Sequence, residues 1–126
     1  MTIWILWGIV LAMAAWMGYN YLRIRRAAKI VDNAEFEALI RKGQLIDVRD
    51  AAEFHRKHIL GARNIPSSQL KSSLAALRKD KPVLLYENQR GQRVTNAALY
   101  LKKQGFSDIY ILSYGLDSWI GKVKTS

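Results

Sequence analysis

Residues Ile3 to Leu22, IWILWGIVLAMAAWMGYNYL, carry no charged side chain. A helix of about 20 such residues is roughly 30 Å long, the thickness of a bilayer's hydrocarbon layer. This stretch predicts a transmembrane anchor over residues 1–22. A secretory signal peptide would need a basic start and a small-residue cleavage site before a polar mature sequence, and the chain offers neither. Trp4, Trp7, Trp16, Tyr19 and Tyr21 lie toward the two ends of the run, where amphipathic rings favour the headgroup level.

Directly after the run comes RIRRAAK, with Arg23, Arg25, Arg26 and Lys29, whereas no Lys or Arg precedes it. The positive-inside bias then predicts a single pass in the cell membrane, with the N-terminus outside and the rest of the chain cytoplasmic. Residues 23–30 are expected to form a basic juxtamembrane linker whose four cations rest on anionic headgroups, at about 1 kcal/mol each. Of 20 basic residues, removing those four leaves 16 against 10 acidic ones. That surplus suits an acidic leaflet, and no basic run interleaved with aromatics points to nucleic acid. The chain has no cysteine, which removes disulfides, thiolate metal ligation and thiol catalysis together.

From Val31 to residue 126 the patterning is that of one folded domain. In VDNAEFEALIRKG, Asp32 and Glu35 form a capping-box start, Val31 is offset to staple Phe36, and Gly43 is expected as a left-handed helix cap. LIDV reads as a strand, and Asp50 with Glu53 opens a short helix. Leu70, Leu74 and Leu77 form a third helical stripe capped by Ser67 or Ser68. VLLY is uninterrupted apolar sequence, as in a strand covered on both faces. Val94, Ala97, Ala98 and Leu101 continue as a helix ended by Gly105, DIYIL is the last strand, and Trp119 is expected to fold inward. Such alternation predicts an α/β domain with a mainly parallel sheet of about five strands and helices on both faces. His55 and His58 stand three apart without a third ligand at a suitable spacing, so no metal is expected, and no cofactor motif appears.

Four pieces in order, LIDVRDAAEF, HILGARNIP, VLLYENQRGQRVTNAALYLKKQGF and IYILSYGLDSWIGKV, resemble those of a single rhodanese homology domain over about Asn33 to Lys124. The resemblance implies a sulfurtransferase-type α/β fold. In that family the loop after the fourth strand is a six-residue cradle that starts with cysteine, has glycine fourth and arginine sixth, and aims backbone N–H groups and a helix N-terminus at the sulfur. A persulfide is an anion, which inward amides and a helix dipole stabilise. Matching Gly91 and Arg93 puts Asn88 at the cysteine position, whereas counting from Tyr86 selects Glu87. Neither can form a persulfide. Val94 replaces a usual serine or threonine, for which Thr95 is a partial substitute, and Tyr114 stands where a glycine pair is usual.

The expected function is therefore a catalytically inactive, membrane-anchored binding or regulatory module. Its loop, Glu87, Asn88, Gln89, Arg90, Gly91, Gln92 and Arg93, presents a surface to a protein partner or a small anion. Asp47 and Arg49, at the end of a strand where open α/β sheets place their sites, are expected to support the loop. Arg93 is expected to brace it through Glu87 or Asp47, and Gly91 to supply a positive φ or close approach. The alternatives are an accessory that docks a persulfide carrier in sulfur relay, and a non-thiol enzyme with Glu87 or Asp47 as base.

Overall fold

The computed structural model describes residues 2–89 and 91–125, with the backbone alone for Ile24 and Arg25. The expectations for Arg90 and for the Arg25 side chain lie outside the described residues.

Helix α1 (Thr2–Ala27) contains the apolar run and continues through the basic segment. Its stretch Thr2–Arg23 is long and apolar enough to cross a membrane, and none of its most apolar window is buried within the protein. Strand β1 (Lys29–Val31) begins almost at once, so residues expected as linker belong to a helix end and a strand. Then follow α2 (Asn33–Ile40), β2 (Gln44–Asp47), α3 (Ala51–Arg56), β3 (Lys57–Ile59) and β4 (Arg63–Asn64). A 3₁₀ segment (Ser67–Ala76), β5 (Val83–Tyr86), α4 (Gln92–Lys103), β6 (Ile109–Leu112), a 3₁₀ turn (Leu116–Ser118) and β7 (Val123–Thr125) complete the chain.

Five strands form one parallel sheet in the order β1-β6-β5-β2-β4. β5 occupies the middle, and its four residues are fully buried, as an apolar run covered on both faces should be. Side chains alternate across the sheet. Val83 and Leu85 join Val94, Ala98 and Leu101 of α4 and Leu70 of the 3₁₀ segment on one face. Leu84 and Tyr86 join Phe36 of α2 and Ile59 of β3 on the other. β3 and β7 pair antiparallel as a separate two-stranded ribbon.

The α2 start is as the sequence implies: the Asp32 carboxylate accepts the Glu35 N–H at 3.0 Å, and Val31 and Phe36 share a core. Gly43 is different. It has no positive φ; a Cβ there would run into Leu84 Cδ1 and the Pro82 carbonyl, so glycine is needed for close approach to the start of β5. The leucine stripe forms a 3₁₀ segment rather than an α-helix, starting directly after Pro66, with Leu70 and Leu77 buried and Leu74 half-buried. Gly105 does close α4, at φ +99. Trp119 stays half-exposed, set edge-on against Phe36 with ring centroids 5.9 Å apart.

Candidate functional site

All five parallel strands end at one edge, and the loops leaving neighbouring β2 and β5 meet there. After β2 the chain places Asp47 and Arg49 inside the protein, with side-chain exposures of 0% and 4%. The guanidinium grips the carboxylate bidentately, Nε donating to Oδ1 at 3.0 Å and Nη2 to Oδ2 at 2.7 Å. The Arg49 N–H also donates to Asp47 Oδ1, at 2.9 Å. Burial works against the Arg49 cation, but the hydrogen bonds and charge of Asp47 outweigh it and raise its pKa above the usual arginine value.

The remaining Arg49 donors reach other segments. Nη2 donates to the Lys57 carbonyl, and Nη1 donates to Asn88 Oδ1 at 2.8 Å. The Asn88 amide nitrogen donates in turn to Glu53 Oε2 at 3.0 Å, and Glu53 Oε1 accepts from Arg93 Nη1 at 2.9 Å. Each amide atom of Asn88 thus faces its complement, a cation at the oxygen and a carboxylate at the nitrogen. The hydrogen bond from Arg93, opposed by partial desolvation and aided by Asn88, holds Glu53 below the usual carboxylate pKa. Arg93 also stands 3.8 Å from Asp50, so its partners are the carboxylates just before and within α3 rather than Glu87 or Asp47.

Glu87 takes a different place. Its Oε2 accepts the backbone N–H of Val94 at 2.8 Å and of Gly91 at 3.2 Å. A carboxylate therefore sits on the first turn of α4, where unpaired amides and the helix dipole favour negative charge. Gly91 has φ −125, ordinary extended backbone, and an added Cβ would meet the Glu87 carboxylate at 3.4 Å; it is the residue before the helix, not a left-handed turn. The base of the loop is fixed from the other side. Leu116 N–H donates to the Glu87 carbonyl at 2.8 Å and Asp117 N–H to the Asn88 carbonyl at 3.0 Å. Gly115, at φ +69, permits this: a Cβ would stand 2.5 Å from the Glu87 carbonyl oxygen.

Above Asn88 lies an open cleft of about 230 Å³, lined by Arg49, Glu53, Arg56, Lys57, Leu116 and Asp117. The expected loop residues are thus split. Asn88 faces the cleft with Arg49, Glu87 turns to the backbone amides, and Gln89 and Gln92 are exposed, Gln89 reaching Asp117 at 3.4 Å. Thr95 points elsewhere, into a groove between α1 and α4. Among the described residues no cluster of three or more metal-ligating side chains occurs; His58 stacks on Phe54, ring centroids 3.8 Å apart. Glu53, Asp50 and Gly115 stand in contact with the loop although sequence reading did not assign them to the site. The acidic start of α3 and the single glycine before Leu116 were their only signals.

Comparison with known proteins agrees with this geometry. The family model described as Rhodanese-like domain matches residues 32–122. The uncharacterized protein YqhL of Bacillus subtilis (strain 168) is 47% identical over 116 residues, covering 92% of this chain and 91% of its own. Of 126 residues about 10 then fall outside, so the likeness extends into α1. The thiosulfate sulfurtransferase GlpE of Shewanella oneidensis is 37% identical over 78 residues, covering 60% of this chain and 74% of its own. The crystal structure of a rhodanese-related protein from Thermoplasma volcanium superposes with a TM-score of 0.70 at 26% identity, covering 78% of this chain and 99% of that one. The full-length protein from Lactobacillus plantarum shares the fold, with a TM-score of 0.70 over 91% of this chain and 98% of its own, at 24% identity.

Proposed function

This chain belongs to the rhodanese-like domain family, and from that premise we propose that it acts by binding, as a membrane-anchored module that moves no sulfur. One observation carries the reading. The position matched to the family's nucleophile holds Asn88, locked between Arg49 and Glu53, while the backbone N–H groups of Gly91 and Val94 are already taken by the Glu87 carboxylate. An amide offers no sulfur for attack and no leaving group for a covalent intermediate.

The same contacts argue against general-base catalysis. Asp47 is buried in an ion pair, and Glu87 is committed to two backbone amides, so neither is free to take a proton from a substrate. The open cleft over Asn88, rimmed by exposed Arg56 and Lys57, is the surface offered to an acidic protein segment or a small anion. The apolar part of α1 would hold that cleft at the cell membrane, with the basic end of the same helix on the cytoplasmic side. Protease added to intact and to opened cells checks this orientation, since the domain should be cut only after opening.

The decisive test is transfer of thiosulfate sulfur to cyanide by the full chain in detergent or nanodiscs. No turnover is expected; turnover by the unaltered chain would overturn the proposal. Asn88→Cys alone is expected to restore little, because Glu87 still occupies the amides. Glu87→Ala combined with Asn88→Cys frees them and is the variant expected to gain activity.

A further inference from the structure

The path of α1 past α4 fixes more than an anchor. α1 ends one residue before β1, so its C-terminus lies at the edge where the strands begin. α4 joins the end of β5 to the start of β6, so its first residue, Gln92, lies at the opposite edge beside the loop. Yet Trp16, Met17, Asn20 and Tyr21 of α1 line one groove of about 380 Å³ with Gln92 and Thr95 of α4. α1 therefore runs alongside α4 in the same direction, and reaches the loop edge near residues 16–21. Lengths agree: Trp16 to Ala27 is about 17 Å of helix, against roughly 18 Å for the whole of α4. Residues 2–15, about 20 Å of helix, project past that edge. Their large apolar side chains, from Ile3 at 65% to Met13 at 59%, are all more than half exposed.

We propose that the loop-bearing edge of the sheet faces the bilayer and lies in its headgroup layer, so that whatever enters the cleft arrives along the membrane surface. The inference rests on membrane insertion of α1 and goes beyond it by naming which side of the domain meets the lipid. A boundary at Leu22 would draw the first turn of α4, with its exposed Gln92 and charged Arg93, into hydrocarbon, at a cost of several kcal/mol for taking polar and charged groups out of water. A boundary at residues 16–21 avoids that. It sets the rings of Trp16, Tyr19 and Tyr21 at the headgroups and leaves residues 2–15, roughly 21 Å of helix, for the hydrocarbon, a short span that the bilayer meets by thinning locally. Asn20, Gln92 and Thr95 then meet polar headgroups. Arg23, stacked over Tyr19 at 5.7 Å, stays close to the lipid phosphates. Arg26 is set back by about 9 Å along the helix, near one Debye length. Exposed Arg56 and Lys57 at the cleft rim add positive charge on the lipid-facing edge.

The absence of cysteine makes the test direct, since a single introduced thiol takes a fluorophore at one site. Tyr114→Cys and Gln89→Cys place the probe at the loop edge, and Lys103→Cys and Lys81→Cys at the other, all on exposed residues. Each full-length variant is reconstituted in vesicles of phosphatidylcholine and phosphatidylglycerol carrying a headgroup spin label. Both loop-edge probes should be quenched at least twofold more than both opposite-edge probes. Equal quenching at the two edges, or stronger quenching at Lys103 and Lys81, overturns the orientation alone. Failure of the unaltered chain to float with the vesicles overturns the insertion it rests on as well.

Discussion

The loops leaving β2 and β5 stand side by side at one sheet edge and are held by opposite means. The first is pinned from inside by a buried ion pair, Asp47 with Arg49; the second is pinned at a half-exposed helix start by a carboxylate on two backbone amides. In the interior a charge is tolerable only with its partner, because neither water nor relaxation can replace it. At the helix start Glu87 and Gly91 are half-exposed, so water can stand in for the carboxylate and Glu87 is replaceable. One loop is a foundation, and the other is a filled socket.

The sharpest way to break this contrast is Asp47→Ala. It leaves Arg49 buried with no carboxylate, and should cost about 3–5 kcal/mol, read as a fall in the urea midpoint of the full chain in detergent. The paired change Asp47→Ala with Arg49→Met should cost less than Asp47→Ala alone. If the single and double variants unfold together, the pair is not the foundation described. Gly115→Ala comes next. At φ +69 and ψ −168, backbone that is nearly confined to glycine, a side chain costs about 1–3 kcal/mol before any clash, and the 87–88 peptide must then move aside. Loss of stability should come with a shift of the amide resonances of Glu87 and Asn88. A stable variant with unmoved resonances would show that the close approach is dispensable.

Glu87→Ala tests the socket itself. Two N–H groups of the first turn lose their acceptor, but the site is open enough for water, so the cost should stay near 1 kcal/mol. Glu87→Gln keeps an acceptor and loses the charge, and should fall between the two. A loss as large as that from Asp47→Ala would erase the distinction between the loops.

The sequence made these loops unequally readable. Asp47 and Arg49 stand two apart at the end of an apolar strand, so their importance could be inferred locally. VLLY announced a strand covered on both faces by its uninterrupted run of large hydrophobic side chains. The partners of Asn88 were not legible: Arg49 and Glu53 stand 39 and 35 residues away in sequence, and only the fold brings them together. Glu53 looked like an ordinary acidic start of a helix. The short strands β1, β3 and β7 escaped for a related reason. Three residues such as KIV or VKT carry no period, and they become strands because neighbours from distant sequence offer a ladder. The leucine stripe was seen but its geometry was not, because spacings of 3 and 4 fit both helix types.

The smallest expected effect links the two loops through pH. Glu53 is held below its usual pKa of about 4.5 by Arg93 and Asn88, so its folded form binds a proton less readily than the unfolded chain does. The stability this supplies is fully present above about pH 4.5 and is lost as pH falls through the lower, folded-state value. Glu53 is partly exposed and Arg93 more so, at 22% and 41%, so solvent weakens the bond and the contribution should be modest. Urea midpoints of the full chain between pH 6 and 3 should decline toward acid, and Glu53→Gln should flatten part of that decline while lowering the midpoint at pH 6. Asp47 and Glu87 remain in that variant as the control. If Glu53→Gln leaves the acid slope intact, the bridge from α3 through Asn88 to α4 does not couple the loops, and each is held by its own carboxylate alone.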